Sequence, residues 1–121
     1  MRRRLLGDDH PAVAVSLTKL ADLLASDGRE TEAAEGYRRA IAIAREKFGP
    51  SSPYLADGLS GLGRLLLARG DPPAAEPLLR EALAIHRDTA APGRIAEAEL
   101  VLARCRRALE EATGAAGRLD G

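Results

Sequence analysis

The chain has 121 residues, 18 Lys and Arg against 18 Asp and Glu, and aromatic residues at only 2%. That length holds one small domain or a few repeats. The zero net charge argues against nucleic-acid binding, which calls for a positive excess; no run of about eighteen apolar residues is present to span a membrane; and a single cysteine, Cys105, excludes an internal disulfide and a cysteine-built zinc site.

Ala, Leu, Arg and Glu dominate, which are good helix formers, while β-branched and aromatic residues are few. The expectation is an all-α fold with a core of Leu, Ala and Ile. Met1-Arg2-Arg3-Arg4 is followed only by Leu5-Leu6 before Gly7-Asp8-Asp9, so no secretory signal is read there. Together with the lone thiol this points to a cytoplasmic protein. The arginine triplet lacks the aromatic neighbours of a nucleic-acid segment.

Helices are predicted over 11–26, 30–47, 53–69, 72–88 and 93–112. Asp9 or His10 can cap ahead of Pro11, Ser52 ahead of Pro53, and Asp71 ahead of Pro72. Proline at the first helical position loses nothing, because its missing N–H would be unpaired there. Asp27-Gly28 and Gly70-Asp71 are turn signals between helices, and Phe48-Gly49-Pro50-Ser51-Ser52 is a longer connection. Thr113 to Gly121 is Gly- and Ala-rich and reads as a flexible tail.

An internal repeat organises these helices. Residues 10–45 align with 52–87 at an offset of 42, and thirteen of the 36 pairs are identical, where roughly four would coincide by chance. Leu17, Leu20, Leu24 and Leu59, Leu62, Leu66 follow the spacing of one buried helical face. Ala33, Tyr37, Ala40, Ile41 and Ala75, Leu79, Ala82, Leu83 do the same in the second helix of each unit. A third unit starts at Ile95-Ala96 but departs from the pattern. Glu99 and Arg106 stand where the earlier units carry leucine, so this last helix turns a polar face to water and caps the stack. Arg3, Leu6 and Gly7 align with Arg45, Phe48 and Gly49. The expected organisation is therefore a remnant of a preceding repeat (1–9), repeat 1 (10–51), repeat 2 (52–91), a capping helix (92–112) and the tail (113–121).

The segments His10-Pro11-Ala12-Val13-Ala14, Leu20-Ala21-Asp22-Leu23-Leu24 and Glu32 to Ile41, with Ser52-Pro53-Tyr54-Leu55-Ala56 and Ala74 to Leu83, resemble tetratricopeptide repeats. The form is the long, 42-residue repeat of kinesin light chains and bacterial regulatory proteins. The small positions Ala21/Gly63, Ala33/Ala75 and Ala40/Ala82 are where that family packs backbones together. The resemblance implies a right-handed superhelix of antiparallel helix pairs, with a concave groove lined by the first helix of each unit. It places Thr18, Asp22, Asp57, Ser60, Arg64, Arg104 and Arg107 in a partner-binding groove, with Val15, Ala25, Glu97 and Leu100 beside them. The paired asparagines that grip a peptide backbone in the long-repeat family are replaced here by Thr18-Lys19 and Ser60-Gly61.

Other motifs have plainer readings. Gly58-Leu59-Ser60-Gly61-Leu62-Gly63 is neither G-x-G-x-x-G nor G-x-S-x-G, and leucine periodicity runs through it. It reads as a helix whose glycines allow close contact. His10 reads as a cap or turn residue and His86 as an exposed residue in a last helical turn. Cys105 reads as a packing residue. Glu30, Glu32 and Glu35 with Arg38 and Arg39 form a solvated face of i,i+3 and i,i+4 pairs. Arg104, Arg106 and Arg107 make a local positive patch.

No nucleophile–base pair, metal cluster or phosphate loop is visible, so no enzyme activity and no cofactor are expected. The expected function is a non-catalytic scaffold binding a peptide or protein segment through the groove, with no nucleic-acid or membrane partner. The alternative is self-association as a homodimer through an apolar N-terminal repeat face.

Overall fold

A computed structural model describes residues 11–120, with side chains from 12 to 114. Five helices follow one another: α1 (Pro11–Ser26), α2 (Glu30–Phe48), α3 (Pro53–Ala68), α4 (Pro72–Asp88) and α5 (Pro92–Asp120). No strand occurs among the described residues. Each helix packs on the next, and α1 also touches α3, as α3 touches α5. The fold is the expected all-α stack of helical hairpins. The capping role read for Asp9 or His10, the arginine triplet and the 1–9 remnant lie outside the described residues.

Local chemistry sets the helix ends. Ser52 accepts the Tyr54 N–H at 3.0 Å and Asp71 the Ala74 N–H at 3.4 Å, each just ahead of a proline. Two hairpins turn through a left-handed glycine, Gly28 at φ 83° and Gly70 at φ 84°. After each glycine the chain donates back into the helix it leaves. Arg29 N–H reaches Leu24 O at 2.9 Å, and Asp71 N–H reaches Leu66 O at 2.9 Å. These bonds satisfy carbonyls that a helix end otherwise leaves open. The turn into α5 has the same pattern, Ala91 N–H to His86 O at 3.1 Å, but its left-handed residue is Ala90 at φ 52°.

The last helix continues past the expected end at 112 to Asp120. No proline interrupts residues 113–120, and each glycine there costs only about 1 kcal/mol relative to alanine. Regular helix therefore extends through a segment read from composition as a tail.

Small residues set the spacing between helices. A Cβ on Gly36 would lie 3.2 Å from Ala21 Cβ in the first hairpin, and one on Gly63 would lie 2.6 Å from Leu79 Cδ2 in the second. Between hairpins, a Cβ on Gly58 would meet Ile41 Cγ1 at 3.0 Å, and one on Gly61 would enter the Tyr37 ring. The glycine-rich segment is a helix, and its glycines sit where neighbours come closest. Tyr37, Leu62 and Leu65 share one buried cluster; Leu55, Leu59 and Ile85 form a second; Leu79, Leu83, Val101, Leu102 and Cys105 form a third.

One leucine departs from the expected buried stripe. Leu20 is 52% exposed, although its counterpart Leu62 is 4% exposed. Leu62 packs in a cluster with Tyr37 of α2, whereas none of the described helices covers the corresponding face of α1. Two ion pairs at the start of α2 reach residues outside that helix. Glu32 pairs with Arg29 at 2.6 Å and Glu30 reaches Arg69 at 3.5 Å. Both pairs are solvent-exposed and contribute little to stability.

Candidate partner-binding groove

Three first helices, α1, α3 and α5, converge on a cavity of about 420 Å³. The 3.6-residue period brings Ala14, Val15, Thr18 and Asp22 to one side of α1, and Asp57, Ser60 and Arg64 to one side of α3. Of the residues expected in a groove, Val15, Thr18, Asp22, Asp57, Ser60, Arg64 and Glu97 line this cavity. Ala25, Leu100, Arg104 and Arg107 do not. Leu100, Arg104 and Arg107 are exposed on α5 beyond the cavity wall. The repeat offset, shortened by two residues for the loop into α5, places Glu97 at the cavity, but the residues further along that helix lie past its wall.

Lys19, Tyr54, His86 and Arg94 also line the cavity and were not among the expected set. Tyr54 stacks obliquely on Phe48, with ring centroids 4.7 Å apart. Arg94 sits in the first turn of α5, outside the aligned repeat. His86 belongs to α4, a second helix, and so falls outside the rule that first helices line the groove.

The position of His86 overturns its reading as an exposed helix-end residue. It is 4% exposed and sits on the cavity floor. Burial holds its pKa below the ordinary imidazole value, and the nearby Arg94 guanidinium lowers it further. Asp57 and Glu97 act in the opposite direction. The ring is therefore favoured in its neutral form, not as the helix-end cation that the sequence suggests.

The charges of the cavity divide into engaged and available groups. Asp22 accepts a hydrogen bond from the Tyr37 hydroxyl. Burial is the main cause that pushes the Tyr37 phenol above its ordinary pKa, and this bond adds to it. Asp57 is paired with Arg94, which ties α3 to α5. Thr18 donates to Ala14 O at 3.1 Å within its own helix. Among the described residues, Lys19, Arg64 and Glu97 make no ion pair. Among the described residues Lys19 and Arg64 near the α1–α3 wall, Asp22 beside them and Glu97 on α5 therefore face the cavity without an ion-pair partner, since the Tyr37 hydrogen bond leaves the Asp22 charge in place.

Cys105 is fully buried and donates to Pro72 O at 3.3 Å, and burial pushes its thiol pKa up. That environment suits a packing residue, since a reactive thiol needs a stabilised thiolate. Among the described residues no group of three or more His, Cys, Asp or Glu side chains could hold a metal. No helix there is long and apolar enough to cross a membrane.

The paired helices, their recurring small residues and the left-handed turns are the features of one repeat family, and sequence comparison agrees. The tetratricopeptide repeat model matches residues 1–46 and, overlapping, residues 18–88. The chain belongs to the tetratricopeptide repeat family. No curated protein matches the chain in sequence. Repeats of this family are typically non-catalytic modules for protein–protein interaction.

Proposed function

We propose that this tetratricopeptide repeat chain is a scaffold that binds a peptide or protein segment in the cavity between α1, α3 and α5. The observation that carries the reading is the cavity itself. Three successive first helices supply its walls, and Lys19, Arg64 and Glu97 line or approach it uncompensated. Such groups are solvated in the free protein and gain a partner when a complementary chain arrives. A volume of about 420 Å³ falls within the usual range for ligand sites. Thr18, Asp22, Asp57, Ser60 and Arg64 are the proposed contact residues. Arg104 and Arg107 would touch only a partner extending beyond the cavity along α5.

A photo-crosslinking amino acid placed at Ser60, in the cavity, and at Glu46, exposed on α2, tests this. The expected result is a partner captured through position 60 and not through position 46. Equal capture at both positions would remove the groove from consideration.

The second reading is self-association through α1. Leu20 and Leu23, at 52% and 68% exposed, favour it. Light scattering over a concentration series separates the two. A dimer dispersed by Leu20→Glu supports self-association, and a monomer at all concentrations leaves the groove as the working surface.

A further inference from the structure

His86 is a buried polar side chain that the stack does not use. It is 96% removed from solvent by its 4% exposure. Among the described residues neither ring nitrogen has a hydrogen-bond partner in the protein; the bonds made at His86 are to its backbone carbonyl. Buried polar groups are nearly always paired, because leaving one unpaired costs its full desolvation penalty. An orphan that lines a cavity is available to a partner that arrives from the cavity.

The charges facing the ring decide what that partner is. The helices packed against α4 bring Asp57 from α3, and Arg94 and Glu97 from α5. Asp57 and Arg94 neutralise each other. Glu97 is left, so this end of the cavity carries one uncompensated negative charge beside a neutral imidazole. A neutral imidazole offers one lone pair as an acceptor. A carboxylate and an imidazole lone pair together accept from a cation. On the α1 and α3 walls Lys19 and Arg64 outnumber the Asp22 carboxylate, which leaves a positive excess there and disfavours a cation.

We propose that His86 and Glu97 form a subsite for a lysine or arginine side chain of the bound segment, at the α5 end of the groove. This rests on the groove reading above and adds a charge and a direction to it. A basic residue of the partner lies against α5, and the preceding or following part of the segment runs toward Lys19 and Arg64. Cation binding and His86 protonation compete for the same lone pair. Affinity therefore falls as pH drops below the ordinary imidazole range, by linkage.

The test is selection of peptides from a random 12-residue library displayed on phage, against the wild type, Glu97→Gln and His86→Gln. Glu97 is exposed, so its variant keeps the fold, and a thermal melt checks His86→Gln. Wild type should enrich peptides with a basic residue at a fixed position. Glu97→Gln should bind the selected peptide about tenfold more weakly, as expected for loss of a charged hydrogen bond. Binding to wild type should weaken as pH falls below the ordinary imidazole value of about 6.5, and His86→Gln should flatten that dependence. Enrichment without a basic position, or equal binding and the same pH profile in all three proteins, overturns the subsite while leaving the groove intact. No enrichment by wild type overturns the groove reading itself.

Discussion

The first and second helical hairpins carry one pattern and meet different neighbours. Leu62 and Leu65 of α3 are 4% and 6% exposed, while Leu20 and Leu23, forty-two positions earlier on α1, are 52% and 68% exposed. In α3 this face lies under α2. In α1 none of the described helices covers it. The same register holds Gly58 and Gly61 in α3 but Ser16 and Lys19 in α1. Glycine lets Ile41 and the Tyr37 ring descend onto the α3 backbone, and serine and lysine would hold a helix with the geometry of α2 away from α1. Burial is decided by the neighbour that arrives, and the small residues record where a close neighbour is accommodated.

The largest expected effect tests the leucines. Leu62→Ala should cost about 2–5 kcal/mol, since it removes buried contacts and leaves a cavity. Leu20→Ala should cost less than about 1 kcal/mol, as an exposed substitution does. Urea denaturation of the two variants measures the gap, and equal costs would mean that α1 is covered after all. Next comes Gly61→Ala. It gains about 1 kcal/mol in helix propensity but forces a methyl into the Tyr37 ring, at about 1–3 kcal/mol or more. A net loss of stability is expected, relieved in part by Tyr37→Leu. At the matching position of the first hairpin, Lys19→Ala should change little.

A smaller effect separates the hairpins by pH. His86 in the second hairpin has Ala44, a buried alanine, as its counterpart in the first. Its pKa is lower when folded than when unfolded. The unfolded chain thus binds more protons just below the ordinary imidazole value. Stability is full above that range and declines as pH falls through it. Thermal melts at about pH 7 and about pH 5 should show a drop that His86→Gln reduces. The smallest effect concerns the turns. Gly28 and Gly70 adopt positive φ freely, whereas Ala90 does so against its side chain. Ala90→Gly should raise stability by roughly 1 kcal/mol, read from the melting temperature. Gly28→Ala should lower it by a similar amount.

Much of the scaffold was legible because its signals are local. Ser52, Asp71 and the prolines after them mark helix starts within a few bonds of the residues they affect. Gly28 and Gly70 mark ends in the same way, and the first four helices match their expected bounds to within one residue. The α1 and α3 contributions to the cavity could also be read, since Thr18, Asp22, Asp57, Ser60 and Arg64 follow helical spacing. The α5 contribution could be read only in part: Glu97 lines the cavity as expected, whereas Arg104 and Arg107, further along the helix, lie past its wall, and Arg94 falls ahead of the segment that matches the earlier units. His86 was hidden for another reason: a histidine in a last helical turn has the same sequence signature whether water or a neighbouring helix lies beside it.

From its sequence alone this protein is determined to be a succession of capped helices paired into hairpins, because caps, turns and periodicity act between residues a few positions apart. Which leucine is covered, which carboxylate is already paired and which imidazole is shut away from water were decided only when the helices stacked. Those outcomes depend on contacts between residues thirty or forty positions apart, such as Asp57 with Arg94. The distance between such residues is set by how far small side chains let one helix approach the next.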